Sequence, residues 1–141
     1  MTDLSGILDQ RMNDRIVSAL NELDFAEFQT LMSNLLGKIG LELTDRKTEG
    51  DAVQFRGESE EGRYLILASR LFDHASLSSV KRLRTMAKAE GRNPVLMITN
   101  DIEPDAKRFA DSEGVSYADK QKLLLLLTSI LRRPEFLLPF A

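Results

Sequence analysis

The feature that most constrains the fold of this chain is a change of hydrophobic period at Gly40. Up to that glycine, apolar residues recur every three or four positions, which places them on one face of a helix. They are Phe25, Phe28, Leu31, Met32, Leu35, Leu36 and Ile39. After Gly40, apolar and polar residues alternate, which is typical of strands. A chain that changes period within two residues is predicted to pack helices on a sheet.

The residues that bound this helix are also recognisable. Asp24 can accept hydrogen bonds from the amides of the first turn, and Glu27 follows three residues later, as in a capping box. Gly40 can end the helix because glycine adopts a left-handed conformation easily. The sequence therefore predicts a helix that begins after Asp24 and ends at Gly40.

Three strands are predicted to follow this helix. Polar and apolar residues alternate over residues 41–44 and residues 53–56, and residues 47–51 are predicted to form the turn between them. A second turn at residues 57–62 is acidic and begins and ends with glycine. Residues 64–69 are almost continuously apolar, as in a strand that is covered on both faces. Three consecutive strands with short turns can form an antiparallel meander.

The second half of the chain alternates helices with strands. The pattern predicts a helix capped by Ser76 or Ser79, a strand at residues 94–99, a helix from Pro104 to Gly114, a strand at residues 115–118, and a last helix from Asp119 to about Arg132. The crossovers imply parallel strands. The predicted fold class is therefore α/β, a mixed sheet of about five strands with helices on both faces. A chain of 141 residues suits a single domain, residues 1–141.

The composition excludes several classes of function. There is no cysteine, which excludes disulfides, thiolate metal sites and thiol nucleophiles. The net charge of -3 does not favour nucleic acid, so any contact with DNA needs a local basic face. The chain does not start like a signal peptide, and its longest apolar run, residues 123–127, is too short to span a bilayer. These features predict a cytoplasmic protein that makes no membrane contact.

Four stretches of the chain resemble, in order, the segments of one known family. They are FAEFQTLM at residues 25–32, GDAVQF at residues 50–55, ILASRL at residues 66–71 and VLMITN at residues 95–100. Together they resemble the Mrr-type restriction endonucleases, which have the PD-(D/E)XK nuclease fold. The resemblance covers a core of about residues 24–127. It implies a restriction-endonuclease-like sheet with an added N-terminal helix and an apolar C-terminal tail.

The resemblance also indicates where a catalytic site would lie. Enzymes of this family hydrolyse phosphodiesters with a divalent cation held by carboxylates and a lysine that assists the attacking water. The residues at the matching positions are Gln29 for the helix glutamate, Gln54 for the strand aspartate, Leu67 for the next glutamine or glutamate, and Ser69 for the lysine. None of the four is a carboxylate or a lysine. The expectation is a degenerate active site that needs no cofactor and does not cleave DNA.

An active nuclease with a relocated site is the alternative interpretation. Asp51 and a glutamate of the turn at residues 57–62 could together hold magnesium, although each also suits an ordinary solvent-exposed turn. The single histidine, His74, is expected on a surface loop. Arg70 is expected to point away from the lysine position, because alternate residues of a strand face opposite sides.

A basic face is the second candidate site. Lys81, Arg84 and Lys88 recur at helical spacing, and Arg92 follows the same helix. Such a face could bind the phosphates of nucleic acid; an ordinary solvated helix surface is the alternative.

The two ends of the chain are more apolar than a lone small domain requires. The N-terminal stripe has a spacing of four, and the tail at residues 135–140 is apolar apart from Glu135. The stripe consists of Leu4, Leu8, Met12, Ile16 and Leu20. Exposed apolar segments usually contact a protein partner, and a second copy of the chain in a homodimer is the simplest such partner. The alternative is that both ends cover the core of their own domain. The sequence therefore predicts a non-catalytic domain that binds nucleic acid or assembles with a protein partner.

Overall fold

The structure is a computed structural model that describes residues 15 and 18–131. Residues 18–22 are helical. The elements that follow are helix α1 Phe25–Lys38, strands β1 Glu42–Glu49, β2 Ala52–Ser59 and β3 Gly62–Ser69, a 3-10 helix Phe72–Ala75, helix α2 Leu77–Ala89, strand β4 Asn93–Ile98, helix α3 Pro104–Glu113, strand β5 Ser116–Ala118 and helix α4 Lys120–Leu131.

Five strands form one mixed sheet in the order β1-β2-β3-β4-β5. The first three strands make the predicted antiparallel meander. β4 and β5 continue the sheet in parallel with β3. Parallel neighbours need crossover connections, which α2 and α3 supply.

Helices cover both faces of this sheet and give it two cores. Helices α1 and α4 pack on one face, together with inward side chains such as Phe55 and Ile66. Helices α2 and α3 pack on the other face, together with Leu65 and Leu67. Neighbouring residues of β3 thus serve different cores, because side chains alternate along a strand. The predicted restriction-endonuclease-like α/β architecture is confirmed.

Local hydrogen bonds explain where α1 begins. Asp24 Oδ1 accepts from the backbone N–H of Glu27 at 2.7 Å, and Glu27 Oε1 accepts from the backbone N–H of Asp24 at 3.0 Å. This reciprocal pair is the predicted capping box. Gly40 follows the helix with a φ of 101°, a conformation that favours glycine and explains why the helix stops here.

The first hairpin turn is shorter than the sequence suggested. β1 continues to Glu49 and β2 begins at Ala52, so the turn consists of residues 50–51 and the prediction of a turn over residues 47–51 was wrong. Gly50 has a φ of 59°, as a tight two-residue turn requires. Glu49 therefore belongs to the sheet, where it pairs with Ala52.

The apolar ends fall almost entirely outside the described residues. Of the predicted stripe over residues 4–20, only Leu20 is described, and it is buried in the core between α1, α4 and the sheet. The tail at residues 135–140 also lies outside the described residues. The extent of the domain and the contact with a protein partner or second copy thus stay predictions. Within the described part of the chain, no helix is long and apolar enough to cross a membrane.

Candidate functional site

Three of the four residues singled out by the family resemblance lie side by side on the α2/α3 face of the sheet. Gln54 of β2 pairs directly with Leu67 of β3, and Ser69 lies two residues further along β3 on the same face. The exposed fractions are 5% for Gln54, 6% for Leu67 and 0% for Ser69. The sheet register thus brings these three positions together and buries them.

Gln29 does not belong to this group. It is half-buried on α1, and α1 packs on the opposite face of the sheet. Among the described residues, the hydrogen-bond partners of Gln54 and Ser69 do not include Gln29. The structure therefore brings three of the four positions together and leaves the helix position on the opposite side of the sheet.

A carboxylate from β1 holds the amide of Gln54. Gln54 Nε2 donates to Glu49 Oε2 at 2.9 Å. The other oxygen of Glu49 lies 2.5 Å from Arg82 Nη2 on α2. Because the amide turns its donor side toward the carboxylate, Gln54 Oε1 is buried without a hydrogen-bond partner among the described residues. Gln54, Glu49 and Arg82 thus form a chain that ties β2 to β1 and α2.

These contacts keep Glu49 ionised. Partial burial raises the pKa of the Glu49 carboxyl, but hydrogen bonds from Arg82 and Gln54 and the charge of Arg82 outweigh it, so the pKa lies below its ordinary value. Glu49 therefore carries a negative charge at neutral pH. That charge is already balanced by the adjacent guanidinium of Arg82.

The Ser69 hydroxyl is also fully engaged. It accepts from the backbone N–H of Leu71 at 2.9 Å and lies 2.6 Å from His74 Nδ1. Which of the two atoms donates in this hydrogen bond depends on the tautomer of His74. The expectation of a surface-loop histidine was wrong: His74 is half-buried in the 3-10 helix, with its ring hydrogen-bonded to the residue at the lysine position.

Helix α2 closes the space above Gln54. Ser79, Leu83 and Met86 line this space together with Glu49, Gln54, Leu67, His74 and Arg82, and we call it the Gln54 pocket. Its volume is about 10 Å³, which is near the minimum that holds one water molecule. A phosphate group does not fit there. In this conformation the Gln54 pocket is closed to the backbone of a nucleic acid.

The alternative metal site, built from Asp51 and a glutamate of the next hairpin, is not formed. Asp51 precedes β2, whereas Glu58, Glu60 and Glu61 lie at or beyond its far end. β2 has eight residues, so the two groups are separated by about 20 Å or more. Ligand oxygens lie about 2 Å from magnesium, so these carboxylates do not share a cation. No group of three metal-ligating side chains occurs among the residues that the structure describes.

The predicted basic face is divided between different environments. The ammonium group of Lys81 lies 5.7 Å from the centroid of the Phe109 ring on α3. Arg84 Nη2 forms an ion pair with Glu113 Oε2 of α3 at 2.9 Å. Lys88 is exposed. The acidic partner of Arg84 thus comes from α3, a different helix.

Arg92 lies apart from the exposed side of α2. Its side chain is only 8% exposed, with Nε 3.5 Å from Glu90 Oε1. Its Nη1 donates to the backbone carbonyl of Tyr64 at 3.4 Å. Glu90 also accepts from Arg56 Nε at 2.6 Å and from Arg56 Nη2 at 2.7 Å. Arg92 therefore belongs to an ion network at the sheet, not to an exposed cationic surface.

Arg70 points to the α1/α4 face, as predicted from strand alternation. Its Nη1 donates to the backbone carbonyls of Leu20 at 2.9 Å and Leu23 at 2.6 Å. The guanidinium carbon lies 4.8 Å from the centroid of the Phe28 ring. Arg70 thus binds the end of the first described helical segment and does not replace the absent lysine near Ser69.

The fold and the position of these residues define the class of protein. A meander continued by two parallel strands, with candidate residues meeting on β2 and β3, is a restriction-endonuclease-like domain. The family model of the Mrr catalytic domain, described as restriction endonuclease, matches residues 20–127. The chain belongs to this family, which confirms the resemblance found in the sequence. Comparisons with curated proteins and with solved structures find no match.

Proposed function

We propose that this chain is a restriction-endonuclease-like domain that does not cleave DNA and that binds nucleic acid through the exposed side of α2. The observation that carries the first part is the state of Gln54. A neutral amide stands where the family resemblance implies a catalytic carboxylate, and it is buried under α2. Magnesium is held mainly by negatively charged oxygens. Leu67 offers no ligand atom, and Ser69 lacks the positive charge of a lysine.

Glu49 does not restore the missing carboxylate. Its two oxygens are engaged by Gln54 Nε2 and by Arg82 Nη2. A divalent cation at Glu49 would have to displace Arg82 and would then be repelled by the same guanidinium. The pair of Glu49 and Arg82 is therefore better suited to closing the Gln54 pocket than to binding metal.

Plasmid cleavage tests the absence of catalysis. Purified protein is incubated with supercoiled plasmid and either magnesium or manganese, and we expect the plasmid to remain intact. Glu49→Gln and Asp51→Ala serve as matched variants, since Glu49 is hydrogen-bonded to Gln54 and Asp51 is the carboxylate of the alternative metal site. Nicking by the wild-type protein that disappears in either variant would contradict the proposal, whereas nicking that persists in both would indicate a contaminating nuclease.

The binding part of the proposal rests on the charges that α2 presents to solvent. Lys81 and Lys88 are exposed and lie seven residues apart, so they share one side of the helix. Arg84 lies between them and keeps a third of its side chain exposed beside Glu113. Contacts of this type hold phosphates without selecting a base sequence. Arg92 is not part of this surface, because its buried side chain is held by Glu90 and the backbone carbonyl of Tyr64.

Salt dependence of DNA binding tests the cationic surface. Each phosphate contact contributes about 0.9 to the slope of log affinity against log salt, so the double substitution Lys81→Ala and Lys88→Ala should lower that slope by about 2. The control is Lys47→Ala with Lys122→Ala, which removes the same charge from exposed positions on β1 and α4. Two outcomes would contradict the proposal: an equal decrease of this slope in the two double variants, or no DNA binding by the wild type.

A protein-assembly module is the second candidate function. It would use an apolar groove on the α1/α4 face, and it therefore requires that the chain's own end does not occupy this groove. Light scattering over a range of protein concentrations checks it: a mass equal to twice that of the chain supports self-assembly, and a monomer throughout excludes a homodimer.

A further inference from the structure

A large apolar groove lies on the α1/α4 face of the domain. Its volume is about 620 Å³. Ile66, Val95 and Met97 of the central strands form its floor. The end of α1 and Leu126 of α4 form its sides, and the hairpin at residues 59–61 closes one end.

The groove exposes side chains that other parts of the domain bury. Ile39 at the end of α1 is 50% exposed, and Tyr64 and Val95 are only partly buried where they pack beside the core. Exposed apolar side chains grouped in a groove offer a contact site for another apolar segment. The polar atoms near the hairpin belong to Ser59, Glu60 and Glu61. The groove thus suits an apolar chain segment that has positive charge at one end.

The end of the described chain lies beside this groove. Leu126 lines it, and α4 ends five residues later, about 8 Å further along the helix axis. The ten residues that follow, RRPEFLLPFA, span up to about 33 Å when extended, so they reach every part of the groove. Pro134 and Pro139 disfavour a continued helix over this segment.

The first described helical segment, residues 18–22, is held at the other end of the sheet. The carbonyls of Leu20 and Leu23 are bound by Arg70, which follows the last residue of β3. The groove lies toward the first residues of β3, near Tyr64. The C-terminal segment is therefore the nearer of the two apolar ends.

We propose that the C-terminal segment, residues 134–140, folds back into this groove and fills it with Phe136, Leu137, Leu138 and Phe140. Both the length of this segment and the charge of the residues that precede it favour this placement. Arg132 and Arg133 precede the apolar residues, and the exposed carboxylates of Glu60 and Glu61 stand at the hairpin end of the groove. The groove is thus a docking site for the chain's own end, which closes the α1/α4 core from outside.

Engineered cysteines test this placement directly, because the chain has no cysteine of its own. The test protein carries Ile39→Cys in the groove and Leu138→Cys in the tail. The control carries Leu125→Cys and Leu138→Cys: Leu125 is 70% exposed on α4 and does not line the groove, although a free tail reaches it equally well. Both are oxidised under dilute conditions and analysed by non-reducing electrophoresis.

Docking predicts an intramolecular disulfide that forms at least about tenfold faster in the groove variant than in the control. A tail that is only tethered has an effective concentration of about millimolar at both sites and gives equal rates. Equal rates overturn the proposal. Disulfide-linked dimers as the main product of the groove variant also overturn it, because they show that a second copy supplies the tail.

A second measurement does not depend on a disulfide. Phe136→Asp in the otherwise unchanged chain should undock the segment and raise the fluorescence of an apolar dye, while circular dichroism stays unchanged. Ala141→Asp, at the end of the same segment, is the matched control and should leave the dye fluorescence as in the wild type. Dye binding by Phe136→Asp equal to that of the wild type would overturn the proposal.

Discussion

Replacing Gln54 by aspartate tests how firmly the Gln54 pocket is closed. The amide of Gln54 donates to Glu49 at 2.9 Å from a position that is 5% exposed. An aspartate there has no proton to donate when ionised. It would also place a second negative charge beside Glu49 in a space that holds at most one water. The variant restores the residue type that the family resemblance implies, but in a pocket that has closed around an amide.

The expected cost follows from these two effects. Burial and a neighbouring like charge raise the pKa of a carboxyl by about 2 to 3 units, and each unit corresponds to about 1.4 kcal/mol. The variant should therefore lose about 3 to 4 kcal/mol of unfolding free energy at neutral pH. Because the folded-state pKa is raised above the unfolded value, the loss is small below about pH 4 and grows as the pH rises toward the folded-state pKa.

Urea unfolding followed by circular dichroism at about pH 4 and about pH 8 measures this difference. Gln121→Asp is the matched control, since it makes the same chemical change at an exposed position on α4 and should shift stability by no more than about 0.5 kcal/mol. A Gln54→Asp variant as stable as the wild type at both pH values would refute the reasoning, because it would show that water reaches the pocket.

Three further substitutions test other contacts by urea or thermal unfolding. Arg70→Met keeps the packing on Phe28 but loses two charged hydrogen bonds to helix-end carbonyls, so we expect a loss of about 2 to 4 kcal/mol; a loss below about 1 kcal/mol would contradict this role. Arg56→Met removes the paired hydrogen bonds to Glu90, which keeps a third of its side chain exposed, and should cost about 1 to 2 kcal/mol. The hydrogen bond from Arg56 lowers the pKa of the Glu90 carboxyl. The stabilisation by this pair is therefore present above the ordinary glutamate pKa and is lost as the pH falls through the folded-state pKa. On acidification, the unfolding free energy of Arg56→Met should thus decrease less than that of the wild type. Gly114→Ala forces alanine into a left-handed conformation at φ 73° and should lower the unfolding free energy by about 1 kcal/mol. An unchanged unfolding free energy would show that this residue does not need the left-handed conformation.

Most of the fold could be predicted because local signals agreed with one another. The capping box at Asp24 and the glycines at the ends of α1 and α3 mark the helix boundaries by hydrogen bonding and backbone conformation. The continuous apolar run in β3 correctly indicated a strand covered on both faces. The turn after β1 was misjudged, since polar residues at the end of an edge strand look like those of a turn. Gly50 was the sequence signal for the shorter turn, because glycine adopts the positive φ that a two-residue turn requires.

The candidate site was harder to predict, because its partners come from elements that are distant in sequence. Strand alternation and the family resemblance were enough to bring Gln54, Leu67 and Ser69 together. Glu49 was missed because it had been assigned to the turn, although its pairing with Ala52 places it near Gln54. Arg82 was missed because only tertiary packing brings α2 against β1. No periodicity in the sequence specifies which cation on an exposed helix side meets which carboxylate.

The two halves of the sheet should also form at different times. The meander of β1, β2 and β3 joins neighbours through two-residue turns, and hairpins of this type close within microseconds. β4 joins β3 only after the chain has passed through α2, which requires a longer and slower loop closure. A nascent chain can thus complete the meander before its last two strands exist. Until β4 arrives, the outer edge of β3 remains open to pairing with other chains, so the meander is exposed to aggregation during synthesis.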